Sequence, residues 1–173
     1  MTIEIREARP EEYVQTGVVT ADAYREFFEE ADEDLRSYLD EIANVAGRAP
    51  RTTILVAVDD DQIIGSATLE LDGRTSEEIG PLAPDEAHVR MFGVHPDARG
   101  AGVGKQLLAA CEERARQAGR TRMTLNTTTL MRAARAMYTS LGYERSEDRV
   151  LPDGFVLIGY TKRLVRSVPG RRG

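Results

Sequence analysis

The 173-residue chain has no tryptophan, a single cysteine and only two histidines. With Cys111 alone, no intrachain disulfide can form and no cysteine-based zinc cluster can be assembled. No apolar run approaches the roughly 20 residues that span a bilayer. The opening residues Met1-Thr2-Ile3-Glu4-Ile5-Arg6 alternate in character and do not form the apolar block of a signal peptide. A cytoplasmic, reducing location is therefore expected, with no membrane partner. Basic charge is also short. The 23 Lys and Arg against 29 Asp and Glu leave a net charge of -6, the wrong sign for a surface that must meet nucleic-acid phosphates. The acidity leans toward a cationic partner such as an amine, although most acidic surfaces serve only solubility.

The length suits one domain with a sizeable core, and the boundaries expected are 1–165 for that domain and 166–173 for a basic, Gly- and Pro-containing flexible tail. Ile3 and Ile5 alternate with Glu4 and Arg6, the period of a half-buried strand. Pro10, Glu11 and Glu12 suit the start of a helix running through Tyr13, Val14 and Val18 toward Phe27, weakened by Gly17. An acidic join from Glu29 to Asp34 leads to a second helix bearing Leu35, Leu39, Ile42 and Val45 on one face, which ends near Gly47 and Pro50. Residues 52–58 and 63–71 form a hairpin around Asp59-Asp60-Asp61. These carboxylates are turn chemistry and not a metal site, because adjacent side chains do not converge. Residues 72–85 read as an exposed loop. A strand over 87–94 precedes an amphipathic helix over 102–118, with Val103, Leu107, Cys111, Ala115 and Ala118 on one stripe beside Leu108. That stripe makes Cys111 a small core residue and not a nucleophile. A short strand over 122–127, a helix marked by Leu130, Ala134, Met137 and Leu141, and a hairpin around Pro152-Asp153-Gly154 complete a β-α-α-β-β-β-α-β-α-β-β order, a mixed α/β class.

The densest chemical signal lies between the strand ending at Val94 and the helix from Gly102. Gly100, Gly102 and Gly104 alternate with Ala101 and Val103, so no Cβ blocks approach to the backbone amides. The glycines stand at a helix N-terminus, where unpaired N–H groups and the helix dipole favour anions. Arg99 and Lys105 add positive charge. Two nucleotide motifs fail here. A P-loop would need Gly at Arg99 and a hydroxyl at Gln106, and a G-x-G-x-x-G fingerprint would need Gly at Lys105 or Leu107. Taken alone, the glycines also suit a tight strand-to-helix turn.

The wider stretch Val94-His95-Pro96-Asp97-Ala98-Arg99-Gly100-Ala101-Gly102-Val103-Gly104 resembles motif A of the GNAT superfamily of N-acetyltransferases. That motif reads Arg/Gln-x-x-Gly-x-Gly/Ala after a strand ending in Val-x-Pro, and Arg99, Gly102 and Gly104 match it. Ala136-Met137-Tyr138-Thr139-Ser140-Leu141-Gly142-Tyr143 resembles the family's later aromatic-Tyr-x-x-Leu-Gly-Phe/Tyr signature, with Met137 in place of the usual aromatic. The resemblance covers about Ile3 to Leu164. It implies a mixed, mostly antiparallel central sheet with flanking helices, splayed between its fourth and fifth strands. Acetyl-CoA is the implied co-substrate, with the pantetheine arm on the backbone of Phe92, Gly93 and Val94. Residues Arg99, Gly100, Ala101, Gly102, Val103, Gly104 and Lys105 would hold the pyrophosphate, and Asn126 would bond the arm.

The resemblance further implies direct attack of an amine on the acetyl thioester through a tetrahedral species. A backbone amide near Val94 would polarise the carbonyl, and Tyr138 would protonate the departing thiolate. On its helix, Tyr138 is expected at the edge of the apolar stripe. The general base stays open. Many relatives carry Glu six residues before the Val of Val-x-Pro, where this chain has His88. His88 or Glu86, two residues earlier on the same strand face, could serve, or the pair could act through an ordered water. His95 in the turn reads as structural. The implied partner is an amine-bearing small molecule, peptide or protein, and the resemblance also admits a homodimer through the last strands. The rival to an enzyme is an acyl-CoA-binding sensor that has lost turnover.

Overall fold

The computed structural model describes residues 2–27, 33–72, 80–129, 131–152 and 154–165, with the side chains of 33–35 excepted. The acidic join before Glu33, the centre of the 72–85 loop, Leu130, Asp153 and the 166–173 tail lie outside the described residues, as do the side chains of Glu33, Asp34 and Leu35. One eight-stranded sheet organises the remainder. Its strands are β1 (Ile3–Glu7), β2 (Thr53–Asp59), β3 (Gln62–Glu70), β4 (Glu86–Val94), β5 (Arg122–Thr127), β6 (Glu144–Arg145), β7 (Arg149–Val150) and β8 (Val156–Arg163). Their order is β1-β2-β3-β4-β5-β8-β6, with β7 also on β8. Every pairing is antiparallel except β4 with β5. This is the mixed, mostly antiparallel architecture expected. Asp60 and Asp61 take positive φ, 45° and 64°, in the β2–β3 turn, which short acidic residues tolerate better than bulkier ones.

Helices cover both faces. On one side α4 (Val103–Gln117) buries Val103, Leu107, Leu108, Cys111 and Ala115 against Leu55, Ala67, Leu69, Ala87, Val89 and Met123. The stripe stops there. Ala118, expected on it, is exposed because the chain is already leaving the helix. The Arg120 N–H bonds the Ala115 carbonyl and the Gly119 N–H bonds Arg116, with Gly119 at φ 77°. These crossed bonds form the Schellman closure that glycine permits.

On the other side lie α1 (Tyr13–Arg25), α2 (Glu33–Ala43) and the one-turn α3 (Val45–Arg48). The second helix is not continuous through Val45 as expected. It breaks at Asn44, whose side chain accepts from the Gly47 N–H and starts α3, because Asn satisfies orphan amides better as a cap than inside a helix. Of the three valines of α1, only Val19 is buried. Val14 is 81% and Val18 46% exposed, and the buried face is otherwise made of the small residues Thr16, Gly17, Thr20, Ala21 and Ala23. Small residues let α1 sit close to its neighbours. Thr20 reaches Ser66 on β3 hydroxyl to hydroxyl at 2.5 Å, and a Cβ on Gly17 would lie 2.2 Å from the Ala43 carbonyl oxygen of α2.

The final hairpin is interrupted. β6 and β7 both pair with β8, and Ser146–Asp148 between them bulge over Gly159, where a Cβ would meet the Glu147 carbonyl oxygen and the Ser146 hydroxyl at 2.5 Å each. No helix among the described residues is long and apolar enough to cross a membrane.

Candidate active site

β4 and β5 pair only over Glu86–Val89 and Arg122–Leu125. Beyond that point β4 follows β3 to Val94 while β5 follows β8 to Thr127. The sheet therefore opens, and among the described residues the β4 edge from Arg90 to Val94 has no strand on its β5 side. An irregularity in β4 shapes this edge. Ser66 pairs with Gly93 and Thr68 with Arg90, so β4 carries one residue more than β3 across the interval. Met91 takes φ 48°, a left-handed value that costs a non-glycine residue about 1–2 kcal/mol. This bulge reverses the side-chain alternation. Val89 and Phe92 both face the α4 core, while Met91 joins Ala21 and Ile42 under α1 and α2. Gly93 is where α1 presses on the edge, since a Cβ there would stand 2.8 Å from Ala23 Cβ.

The glycine loop begins at the end of this edge. His95 caps the 3-10 turn Pro96–Ala98 by accepting from the Asp97 N–H at 3.2 Å, the structural role expected of it. Gly100 (φ 84°) and Gly102 (φ 77°) are both left-handed, and Gly102 is the N-cap of α4 with nothing within 4 Å of a would-be Cβ. Gly104 differs. It lies in the first helical turn with Phe92 Cζ at 3.4 Å and Met137 Sδ at 3.3 Å from the Cβ position. Gly100 and Gly102 thus supply conformation, and Gly104 supplies close packing. Lys105 and Ala101 are exposed, and Val103 is buried. Lys105 has no ion-pair partner among the described residues. The Arg99 guanidinium is turned away from the loop toward the end of α1. It pairs with Glu26, bonds the Ala23 carbonyl at 3.3 Å and lies 5.9 Å over the Phe27 ring. The carbonyl end of a helix attracts a cation, so Arg99 contributes to the loop by its backbone.

Glu86 and His88 lie on one face of β4, as expected, and a side chain joins them. Thr124 of β5 stands opposite His88 in the parallel ladder. Its hydroxyl donates to Glu86 Oε2 at 2.5 Å and lies 2.8 Å from His88 Nδ1. Glu86 Oε1 also accepts from the Ala83 N–H at 3.1 Å and lies 3.7 Å from the Arg122 guanidinium. His88 is 2% exposed, and burial pushes its pKa down to about 4, opposed by Glu86 and assisted by Arg90 and Arg149. The imidazole is therefore neutral at pH 7. Beside it, Arg90 pairs with Glu70 at 3.4 Å and with Glu41 of α2 at 3.5 Å. Asn126, half-buried at the opening, makes no side-chain hydrogen bond among the described residues.

The helix α5 (Arg132–Ser140) brings Tyr138 into the core. The expectation of an edge position is corrected. Tyr138 is the buried residue of α5, packed between Tyr160 at 5.6 Å, Tyr143 at 6.0 Å and Phe92 at 6.4 Å. The cause is the helix end. Gly142 at φ 89° lets the Tyr143 N–H bond the Tyr138 carbonyl, and this Schellman turn folds Tyr143 back onto Tyr138. Burial raises the Tyr138 pKa above the usual phenol value, and its hydroxyl has no hydrogen-bond partner among the described residues. Cys111 is fully buried, with its thiol pushed up to about 12.

The structure thus gathers Phe92, Gly93, Val94, the 99–105 loop and Tyr138 around the opening, with Glu86 and His88 on the adjoining sheet face. Thr124 was missed because its partnership depends on strand register, which periodicity does not reveal. Tyr24 of α1 was missed as well. It packs edge-on to Tyr38 at 6.3 Å, beside Gly93 and the Phe92 backbone amide. Its position follows from the small-residue face of α1.

The sequence model described as the acetyltransferase (GNAT) family matches residues 18–143. No curated protein matches the chain significantly. Several solved structures share the fold. An acetyltransferase of the GNAT family from Staphylococcus aureus Mu50 superposes with a TM-score of 0.71 at 17% identity, over 95% of this chain and 100% of that one. The PaiA N-acetyltransferase of Thermoplasma acidophilum, in complex with coenzyme A, gives 0.69 at 18% identity over 92% and 98%. YncA from Salmonella typhimurium, with its cofactor acetyl-CoA, gives 0.69 at 17% identity over the full length of both chains.

Proposed function

Since the chain belongs to the acetyltransferase (GNAT) family, we propose that it moves an acetyl group from acetyl-CoA to a primary amine by direct attack of the amine. The observation that carries this reading is the opening after Val89 and Leu125, which leaves the β4 edge unpaired next to the Gly102-capped start of α4. A strand-like pantetheine arm can take the place of the missing strand along Phe92, Gly93 and Val94. Its pyrophosphate then falls at a helix N-terminus whose N-cap, Gly102, carries no obstructing Cβ. Lys105 supplies charge there, with the backbone from Arg99 to Gly104, and the unpartnered Asn126 amide supplies a donor and an acceptor on the far wall.

Acetyl-CoA supplies an acetyl thioester activated for attack. The protein must then manage protons. Acylating an ammonium group releases two protons from nitrogen, one taken up by the departing sulfur and one lost to solvent. Tyr138 gives its phenolic proton to sulfur and recovers one from the acylated nitrogen. Its raised pKa keeps it protonated at neutral pH, as an acid requires. A backbone amide of the bulged β4 edge near Val94 polarises the carbonyl oxygen. Glu86 and His88 take the proton that frees the amine lone pair, and the neutral ring of His88 is in the receptive form at pH 7.

Release of free thiol from acetyl-CoA in the presence of a broad amine panel tests the reading. Acetyl-CoA binding with no thiol release for any amine would refute it in favour of a binding protein.

A further inference from the structure

We propose that the Thr124 hydroxyl is the proton bridge of this site: it holds His88 with its proton on Nδ1 and its lone pair on Nε2, and it passes the acceptor's proton on to Glu86. The inference rests on the acetyltransferase reading above and adds a residue and a direction to it.

The tautomer follows from counting hydrogens. Thr124 Oγ1 has one proton and three acceptors in reach: Glu86 Oε2 at 2.5 Å, His88 Nδ1 at 2.8 Å and the Ala87 carbonyl at 3.5 Å. A carboxylate only accepts, and the charged bond is the shortest, so the proton goes to Glu86. The contact at 2.8 Å is a hydrogen bond only if Nδ1 donates. Nε2 is then the basic nitrogen. It has no hydrogen-bond partner among the described residues and is not among their sealed unpartnered polar atoms.

The route also suits the charges around the ring. His88 faces Glu86 and Arg90 on its own strand, its cross-strand partner Glu70 on β3, and Arg149 on β7. In a ring this buried, a lasting imidazolium is disfavoured. A relay avoids one. Nε2 takes a proton from the ammonium as Nδ1 gives its own to Thr124 Oγ1, and Thr124 gives its own to Glu86 Oε2. One N–H bond of the acceptor is broken, one carboxyl O–H bond is made, and ring and hydroxyl each end with the number of protons they began with. Glu86 is a fitting terminus. Its other oxygen is held by the Ala83 N–H, and its side chain is 16% exposed, which leaves a path to solvent.

The chain has only two histidines, so nitrogen-15 NMR of the histidine-labelled protein reads the ring directly, with His95→Gln assigning the signals. The parent is expected to show His88 protonated on Nδ1, and Thr124→Ser to keep that form. Thr124→Val is expected to lose it and to lower kcat about 100-fold, as removal of a proton-transfer group does, with acetyl-CoA affinity unchanged. Glu86→Gln is expected to match it, the double variant to fall no further, and Thr124→Ser to stay within several-fold of the parent. His88 protonated on Nε2 in the parent, or parental kcat in Thr124→Val, overturns the proposal. The parental spectrum, once assigned with His95→Gln, needs neither turnover nor an acceptor. A parent that releases no thiol therefore refutes the acetyltransferase reading, while the spectrum alone still decides the bridge.

Discussion

Replacing Gly17 by alanine should destabilise this protein, the reverse of what helix propensity alone predicts. At an ordinary interior position of a helix, Gly→Ala stabilises by about 0.8–1.0 kcal/mol. At Gly17 the new Cβ would stand 2.2 Å from the Ala43 carbonyl oxygen, 2.9 Å from its carbon and 3.0 Å from its Cα. These are backbone atoms of α2, so no rotamer change relieves them. The helices must separate by about 1 Å to restore normal contact distances. Forcing an extra methyl group into a packed site typically costs about 1–3 kcal/mol, and contact with a rigid backbone places this case at or above the upper end. Net of the propensity gain, a loss of about 2 kcal/mol or more is expected. For a protein of this size each kcal/mol moves Tm by about 2–4 °C, so Tm should fall by at least about 4–8 °C. Thermal unfolding followed by circular dichroism at 222 nm measures it. A Tm equal to or above that of the parent would refute the close crossing of α1 and α2, and with it the account of why α1 buries small residues.

Three further outcomes bear on the site. Because His88 is held near pKa 4 against 6.5 when unfolded, the unfolded chain binds the extra proton, and stability falls as pH drops from 6.5 toward 4, by up to about 3 kcal/mol. Urea melts of His88→Gln should show a shallower decline over that window, and an unchanged pH slope would contradict the burial of the ring. Tyr138→Phe keeps the aromatic packing and removes a hydroxyl with no partner among the described residues, so Tm and acetyl-CoA affinity should hold while kcat drops about 10- to 100-fold. Parental turnover would remove Tyr138 from the chemistry. Gly102→Glu should abolish acetyl-CoA binding in calorimetry, since it sets a carboxylate at the helix N-terminus and forces φ 77° on a residue with a Cβ. Normal affinity would sink the assignment of the loop.

Much of this protein was decided locally and is therefore legible in the sequence. The alternation of Ile3 and Ile5, the stripe from Val103 to Ala115, and the glycines at 119 and 142 depend on strand period, helix period and left-handed closure, each set within a few residues. The features that make the loop a candidate anion site are local too, because left-handed glycines and an N-terminal helix turn need nothing from elsewhere in the chain. What required the tertiary structure was every partnership between distant segments. The extra residue in β4 reverses the alternation only because β3 sets the register against it. Thr124 joins Glu86 to His88 only because β5 runs parallel to β4 in one alignment among several. Tyr138 moved from the expected edge into the core because Tyr143, Tyr160 and Phe92 converge on it, and the Arg99 guanidinium turned to α1 because that helix ends beside it. Side-chain period is a property of one segment, whereas register and close approach are properties of two. The donor half of the proposed site could therefore be read along the chain, and the proton chemistry proposed for it only across the sheet.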